Sequence, residues 1–157
     1  MARTLPFTLL FLMILSRLAF AQGENNMWTF GIHNGLDFNN NPPTFFQSSN
    51  MSAEGCASVA SAGGSLLFYS NGNNIWNVSG TVMPNGSGIL GNGAYPGAIT
   101  GSSAQGVAIV KSMSNSNQYY LFTLDALEQI TTSYPGYLRY SVIDMSLDGG
   151  NGDVVAG

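Results

Sequence analysis

Three observations predict an all-β chain built of antiparallel meanders. Short runs of apolar or alternating residues recur along the sequence, Gly and Asn cluster between them, and no stretch sustains a helical period. The 20 glycines and the low charge, 8% of residues, fit many tight turns and a surface made polar by Asn, Ser and Thr.

The first residues stand apart from this pattern. Arg3 precedes an apolar run over residues 5–15, interrupted by Pro6 and Thr8, and Ala19-Phe20-Ala21 forms a small-residue cleavage site. This is the layout of a secretory signal peptide over residues 1–21, with one domain over residues 22–157 that is secreted or held at the outer cell surface. The run is shorter than the roughly 20 residues that span a bilayer, so no membrane insertion is expected after cleavage. Cleavage leaves Lys111 and Arg139 as the only basic side chains against eight carboxylates, a formal charge of −6. Nucleic acid and anionic membranes, which need clustered Lys and Arg, are unsuitable partners.

In chain order, residues 27–32 read as a strand, Asn34-Gly35 as its turn, and residues 36–38 as a short second strand. A Pro-containing loop over 39–43 leads to a further strand at 44–46. Residues 54–76 organise the rest. They hold a strand at 56–61, an Ala62-Gly63-Gly64 turn and a strand at 66–69, and Ile75-Trp76 opens a third strand. Between the last two, Asn71-Gly72 predicts a hairpin with both residues at positive φ. Residues 78–103 read as a long turn-rich passage holding Pro84-Asn85-Gly86. The apolar continuity of 106–112 predicts a strand buried on both faces. Strands follow at 118–125 and 138–144, with one helical turn at 126–130 between them and a closing turn at 146–153.

Residues 55–61 align with 106–112, and 66–70 with 119–123, at offsets of 51 and 53 residues. A period near 50 made of short antiparallel strands predicts propeller blades. The chain holds about two to three blades, whereas closure takes about four to eight. The expected fold is therefore the first, incomplete part of a β-propeller, and the remaining blades of a longer chain are expected partners.

The ordered series WTFGIHNGLDFN, EGCASVASAGGSLLFYSNGNNIWN, VMPNGSGILGN, YYLFTLDA and LRYSVIDMSLDGGNGDV resembles the amino-terminal β-propeller region of large secreted Bacteroidetes proteins. In that family the region precedes PKD-like modules and a sorting domain for gliding-motility-associated, type IX export. The resemblance implies an exported propeller and brings no catalytic residues with it.

Individual residues point to little chemistry. Cys56, the only cysteine, forms no intrachain disulfide and reads as a small buried apolar residue. His33, the only histidine, sits beside a turn with no hydrolase or metalloprotease motif around it. Residues 148–153 resemble a calcium-binding turn but miss its register and read as a plain loop. Residues 70–76 resemble an Asp-box turn with Asn in place of Asp. Asp125 and Asp144 end successive strands; turn hydrogen bonding is the expected role, with acid–base chemistry the alternative. Tyr95, Tyr134 and Tyr137, all in loops, are the candidate ligand-contact aromatics; Trp28 is expected to pack, with stacking on a sugar ring the alternative, and Trp76 is assigned to packing between blades. No catalytic, metal or cofactor site is expected. The predicted function is adhesion, or recognition of a glycan or surface protein. The alternative is the amino-terminal part of a secreted propeller hydrolase or lyase whose catalytic residues lie beyond residue 157.

Intact-mass analysis of exported protein is expected to show a chain beginning at Gln22. Retention of Met1 in the secreted fraction contradicts the signal-peptide reading.

Overall fold

The computed structural model describes residues 22–91, 102–126, 130–133 and 135–155. Among them, three antiparallel sheets follow one another along the chain, each with its strands in sequential order and none closed on itself. The first holds β1 (Met27–Phe30), β2 (Ile32–Asp37) and β3 (Thr44–Met51). The second holds β4 (Ala57–Ala60), β5 (Leu66–Ser70), β6 (Asn74–Asn77) and β7 (Val82–Ser87). The third holds β8 (Val107–Lys111), β9 (Gln118–Leu124), β10 (Leu138–Asp144) and β11 (Asp153–Val154).

Several turns fall where other forces put them. Asn34 and Gly35 lie inside β2, opposite Phe30 and Thr29, and the reversal is made instead by Gly31 and His33, at φ 56° and 59°. Packing decides this: a Cβ on Gly35 would stand 2.4 Å from the Phe46 ring, so the glycine is needed beneath that ring rather than in a turn. At Asn71-Gly72 only Gly72 takes positive φ, 81°. Asn71 acts through its side chain: Oδ1 accepts the backbone N–H groups of Asn73 and Asn74 at 3.0 and 2.8 Å. Its Nδ2 donates to the Met51 carbonyl at 2.8 Å, a bond that an Asp at this position is unable to make.

The passage over 78–103 is not uniformly loop, since it contains β7. Pro84, Asn85 and Gly86 form a bulge between the pairs Trp76–Val82 and Asn74–Ser87. As β7 is an edge strand, Pro84 costs the sheet no ladder bond. The closing segment also does more than turn: a short 3-10 turn at Asp148–Gly150 leads into β11. Strand β8 is buried on one face alone, with Val107 buried and Val110 51% exposed. Of the helical turn expected over 126–130, residues 127–129 lie outside the described residues.

The second sheet lies between the other two, with β1 and β8 both beside β4, and β11 beside β7. Alternation along each strand gives it two unlike faces. One carries Phe68, Ile75 and Met83 against Val107, Tyr119, Leu121 and Ile143 of the third sheet, forming the apolar core. Phe68 meets Tyr119 edge to face, with ring centroids 5.4 Å apart. Asp153 fastens the far edge: its carboxylate accepts the backbone N–H and the side-chain amide of Asn85, both at 2.8 Å.

The other face meets the first sheet through polar groups. Ser58 Oγ donates to the Met27 carbonyl at 2.8 Å and accepts Thr29 N–H at 3.2 Å. Ser49 N–H donates to the Tyr69 hydroxyl at 2.9 Å, and Ser49 Oγ to the Gly80 carbonyl at 2.8 Å. Trp76 stacks on Tyr69 on this face, centroids 5.5 Å apart and planes 18° from parallel, and is 6% exposed. Cys56 is half-buried here rather than fully buried, with Sγ donating to the Thr29 carbonyl at 3.3 Å. Burial pushes its thiol pKa up, against smaller opposing pulls from the Asn50 amide and the Gly31 backbone.

Two outcomes follow from these contacts. Trp76→Ala removes a buried, stacked ring and is expected to cost about 3 to 5 kcal/mol, read from the chemical-denaturation midpoint; an unchanged midpoint contradicts its place between the sheets. Cys56, with a raised pKa and its Sγ on Thr29, is expected to react slowly with a thiol reagent at pH 8 in native protein and many-fold faster in denaturant. Equal rates would show an open thiol.

Candidate functional site

At the end of the stack where β4 and β8 begin and β9 ends, four chain segments surround a pocket of about 460 Å³. Glu54 enters from the link between β3 and β4, Ser102 and Ser103 from the approach to β8, Asp125 from the end of β9, and Tyr137 from the residue before β10. The strand ends are brought together because β9 and β10 are antiparallel neighbours, with Leu124 opposite Leu138.

Tyr137 is the predicted aromatic that the structure places in this pocket, with its side chain about half exposed. Three contacts hold its position. The Asp125 carboxylate accepts Tyr137 N–H at 2.8 Å, and the Tyr137 carbonyl accepts Asp125 N–H at 3.1 Å. The Asp125 carboxylate also pairs with the Arg139 guanidinium, the one ion pair among the described residues. That guanidinium lies over the Tyr137 ring, 5.1 Å from its centroid, a separation at which a cation is attracted to the ring face. Asp125 thus positions the ring directly through the backbone and indirectly through Arg139.

The rest of the lining is mixed. Leu138, 69% exposed, and Ile130 give it apolar wall, and Glu54 contributes an exposed carboxylate. Ser102 Oγ is buried at the pocket and finds no hydrogen-bond partner among the described residues. A hydroxyl in that state costs about 1 to 3 kcal/mol unless something bonds to it. An aromatic face, a carboxylate and an unpaired hydroxyl around one space can hold a neutral polyhydroxylated ligand. Tyr95 and Tyr134 lie outside the described residues.

The other candidates are separated from this pocket. Asp144 pairs with Gln118, seven residues along the chain from Asp125, at the opposite end of β9 and β10 and about 23 Å from Asp125. Two carboxylates so far apart do not share acid–base work. Asp144 accepts hydrogen bonds from the Ser146 hydroxyl at 2.5 Å, the Ser146 N–H at 2.9 Å and Gln118 at 3.0 Å, which hold its pKa below the usual carboxylate value, the hydroxyl most strongly. His33 is exposed on its hairpin, with Nδ1 3.1 Å from the Ser48 carbonyl. Asp153, from the calcium-like turn, uses both carboxylate oxygens on Asn85. Among the described residues, no group of three or more His, Cys, Asp or Glu side chains is placed to hold a metal ion. Trp28, expected to pack in the core, is instead 53% exposed and tilts against Phe38 at 4.9 Å, on the first sheet and away from the pocket, because it lies on the side of β1 opposite buried Thr29.

Sequence reasoning missed Glu54, Ser102, Ser103 and Arg139. Arg139 had a signal: it is one of two basic residues left after residue 21 and stands two positions from Tyr137. The serines had none, because their role depends on where the loop before β8 passes. Compared with family models, with curated proteins and with solved structures, the chain matches none.

Proposed function

We propose that this chain forms the first blades of an exported β-propeller that recognises a glycan at the cell surface without transforming it. The observation that carries the recognition reading is the half-exposed Tyr137 ring, held by Asp125 and Arg139 beside Glu54 and the unpaired Ser102 hydroxyl. A sugar ring presents C–H faces to an aromatic and hydroxyls to carboxylate and serine, so this lining suits a neutral hexose unit. The formal charge of −6 after residue 21 disfavours acidic glycans.

Blade character is supported by three sequential meanders, of which the second and third stack like strand beside like strand: β4 beside β8 and β7 beside β11. The 51- and 53-residue offsets fall on the first and second strands of those two sheets. Export rests on the sequence of residues 1–21, which lie outside the described residues. The sequence resemblance to the propeller region of secreted Bacteroidetes proteins is a further support for a cell-surface setting. Asp125 is committed to Arg139 and to Tyr137 N–H, which leaves it a positioning group rather than an acid or base.

Titration calorimetry against neutral and acidic oligosaccharides is expected to show binding of neutral members alone. Tyr137→Ala is expected to weaken it about tenfold, equivalent to about 1.4 kcal/mol. Binding that survives Tyr137→Ala unchanged, or no binding to any neutral oligosaccharide, overturns the assignment.

A further inference from the structure

The second and third sheets each have four strands, whereas the first has three. The place beside the third strand is filled by β7 in the second sheet and by β11 in the third, but no described strand lies beyond β3. The later half of β3 is tied to the second sheet through Ser49, on the Tyr69 hydroxyl and the Gly80 carbonyl, and through the Met51 carbonyl, which accepts Asn71 Nδ2. Residues 44–47 are not. Phe38 N–H donates to the Asn26 carbonyl at 2.7 Å, and this fixes the alternation of bonded pairs across the sheet. Asp37–Thr44 and Gly35–Phe46 are then the bonded pairs of β2 with β3, and the backbone N–H and C=O groups of Phe45 and Gln47 point out of the sheet. Among the described residues, none bonds to them. A cleft of about 540 Å³ runs along the same strand, touching residues 46–49 on one side and Leu66, Tyr69 and Val78 on the other. No charged side chain lines it.

We propose that the edge of β3 over residues 44–47 takes up an extended peptide segment of a partner protein as a fourth strand, antiparallel to β3, with one uncharged apolar side chain of that segment in the cleft. Donors and acceptors that alternate at strand spacing match another extended backbone, and neither a sugar nor a lipid carries such a repeat. Antiparallel pairing follows the rest of the molecule, where every described pair of strands is antiparallel. The register follows too. Opposed residues in such a pair share a face, so the peptide residue opposite Phe46 points where Phe46 does, into the cleft. Its two neighbours, opposite Phe45 and Gln47, turn their side chains to the other face and their backbone groups to β3. Main-chain bonds thus give affinity and the cleft gives selection, for an apolar residue because the lining holds no charge. The site goes beyond the glycan reading and shares no residue with the Tyr137 pocket.

The probe is an end-blocked peptide of alternating threonine and valine, seven residues long with threonine at both ends, titrated into the full chain by calorimetry. Saturable one-to-one binding is expected, with valine in the cleft and threonine amides bonded to β3. N-methylation of the internal threonines is expected to weaken binding about tenfold or more, while N-methylation of the valines leaves it unchanged. Aspartate in place of the valines is expected to abolish it. Gln47→Pro removes one outward N–H without touching the ladder to β2, as an edge strand allows, and is expected to lose the peptide about as fully. Gln47→Ala keeps that N–H and is expected to bind as wild type, and circular dichroism confirms the fold of both variants. No binding by wild type, equal loss from either methylation, loss from the valines alone, binding of the aspartate peptide, or a folded Gln47→Pro chain of full affinity each overturns the proposal. Where Gln47→Pro fails to fold, the methylated peptides on wild-type protein decide it. Tyr137→Ala is expected to leave peptide binding unchanged, so this site and the glycan site stand or fall separately.

Discussion

The edge-to-face contact between Phe68 and Tyr119 joins the two strands that run through the middle of the apolar core, and the remaining packing is arranged around it. Phe68 is on β5 and Tyr119 on β9, the second strand of each meander, so each ring has a neighbouring strand on both sides. Ile75 and Met83 extend the layer from the second sheet, Leu121 and Ile143 from the third, and all four are essentially inaccessible to water. Aromatic side chains each bury on the order of 150 to 250 Å², more than the short strands around them offer otherwise. A chain that is only 8% charged has few ion pairs to draw on, so this layer is the main source of cohesion between the sheets.

The opposite face of the second sheet solves a different problem. β1 is an edge strand, and an edge exposes unpaired backbone groups that invite pairing with another chain. Ser58 supplies a donor and an acceptor to Met27 and Thr29 on that edge, and Cys56 caps the Thr29 carbonyl. Small polar side chains therefore replace a neighbouring strand. The arrangement has a cost: Asn50 is fully buried and neither of its amide atoms completes a hydrogen bond of normal geometry. The contact between the first and second sheets is thus the more specific and the less cohesive of the two.

Local pattern made the all-β class, the meanders and the burial of Trp76 legible, because alternation and Gly or Asn punctuation are encoded within a few residues. The errors share a cause. Gly35 read as a turn residue because Gly tolerates positive φ, yet its missing Cβ is used to admit Phe46, eleven residues on in the neighbouring strand. Pro84-Asn85-Gly86 read as a turn, yet an edge strand accepts it as a bulge, and the freed Asn85 N–H reaches Asp153. β8 read as buried on both faces because apolar continuity reports hydrophobicity without saying whether a second sheet is present. Each depends on a partner distant in sequence. Of the pocket, Tyr137 was legible as a candidate, and Asp125 as a strand-end acceptor of backbone amides, the role it fills at Tyr137 N–H; its pairing with Arg139 was not legible.

Low charge also explains why the pocket is built as it is. An isolated carboxylate at the 6% exposure of Asp125 is costly, and removing its partner from a buried pair is strongly destabilising. Arg139 meets that requirement from the adjacent strand, and its guanidinium also lies over the Tyr137 ring. The same guanidinium therefore neutralises Asp125 and packs on the ring of Tyr137, whose backbone Asp125 already holds. A ring ordered in advance loses less conformational freedom on contact with a ligand, and that saving appears as affinity. One of the two basic side chains outside residues 1–21 is thus spent where a loop residue had to be held still.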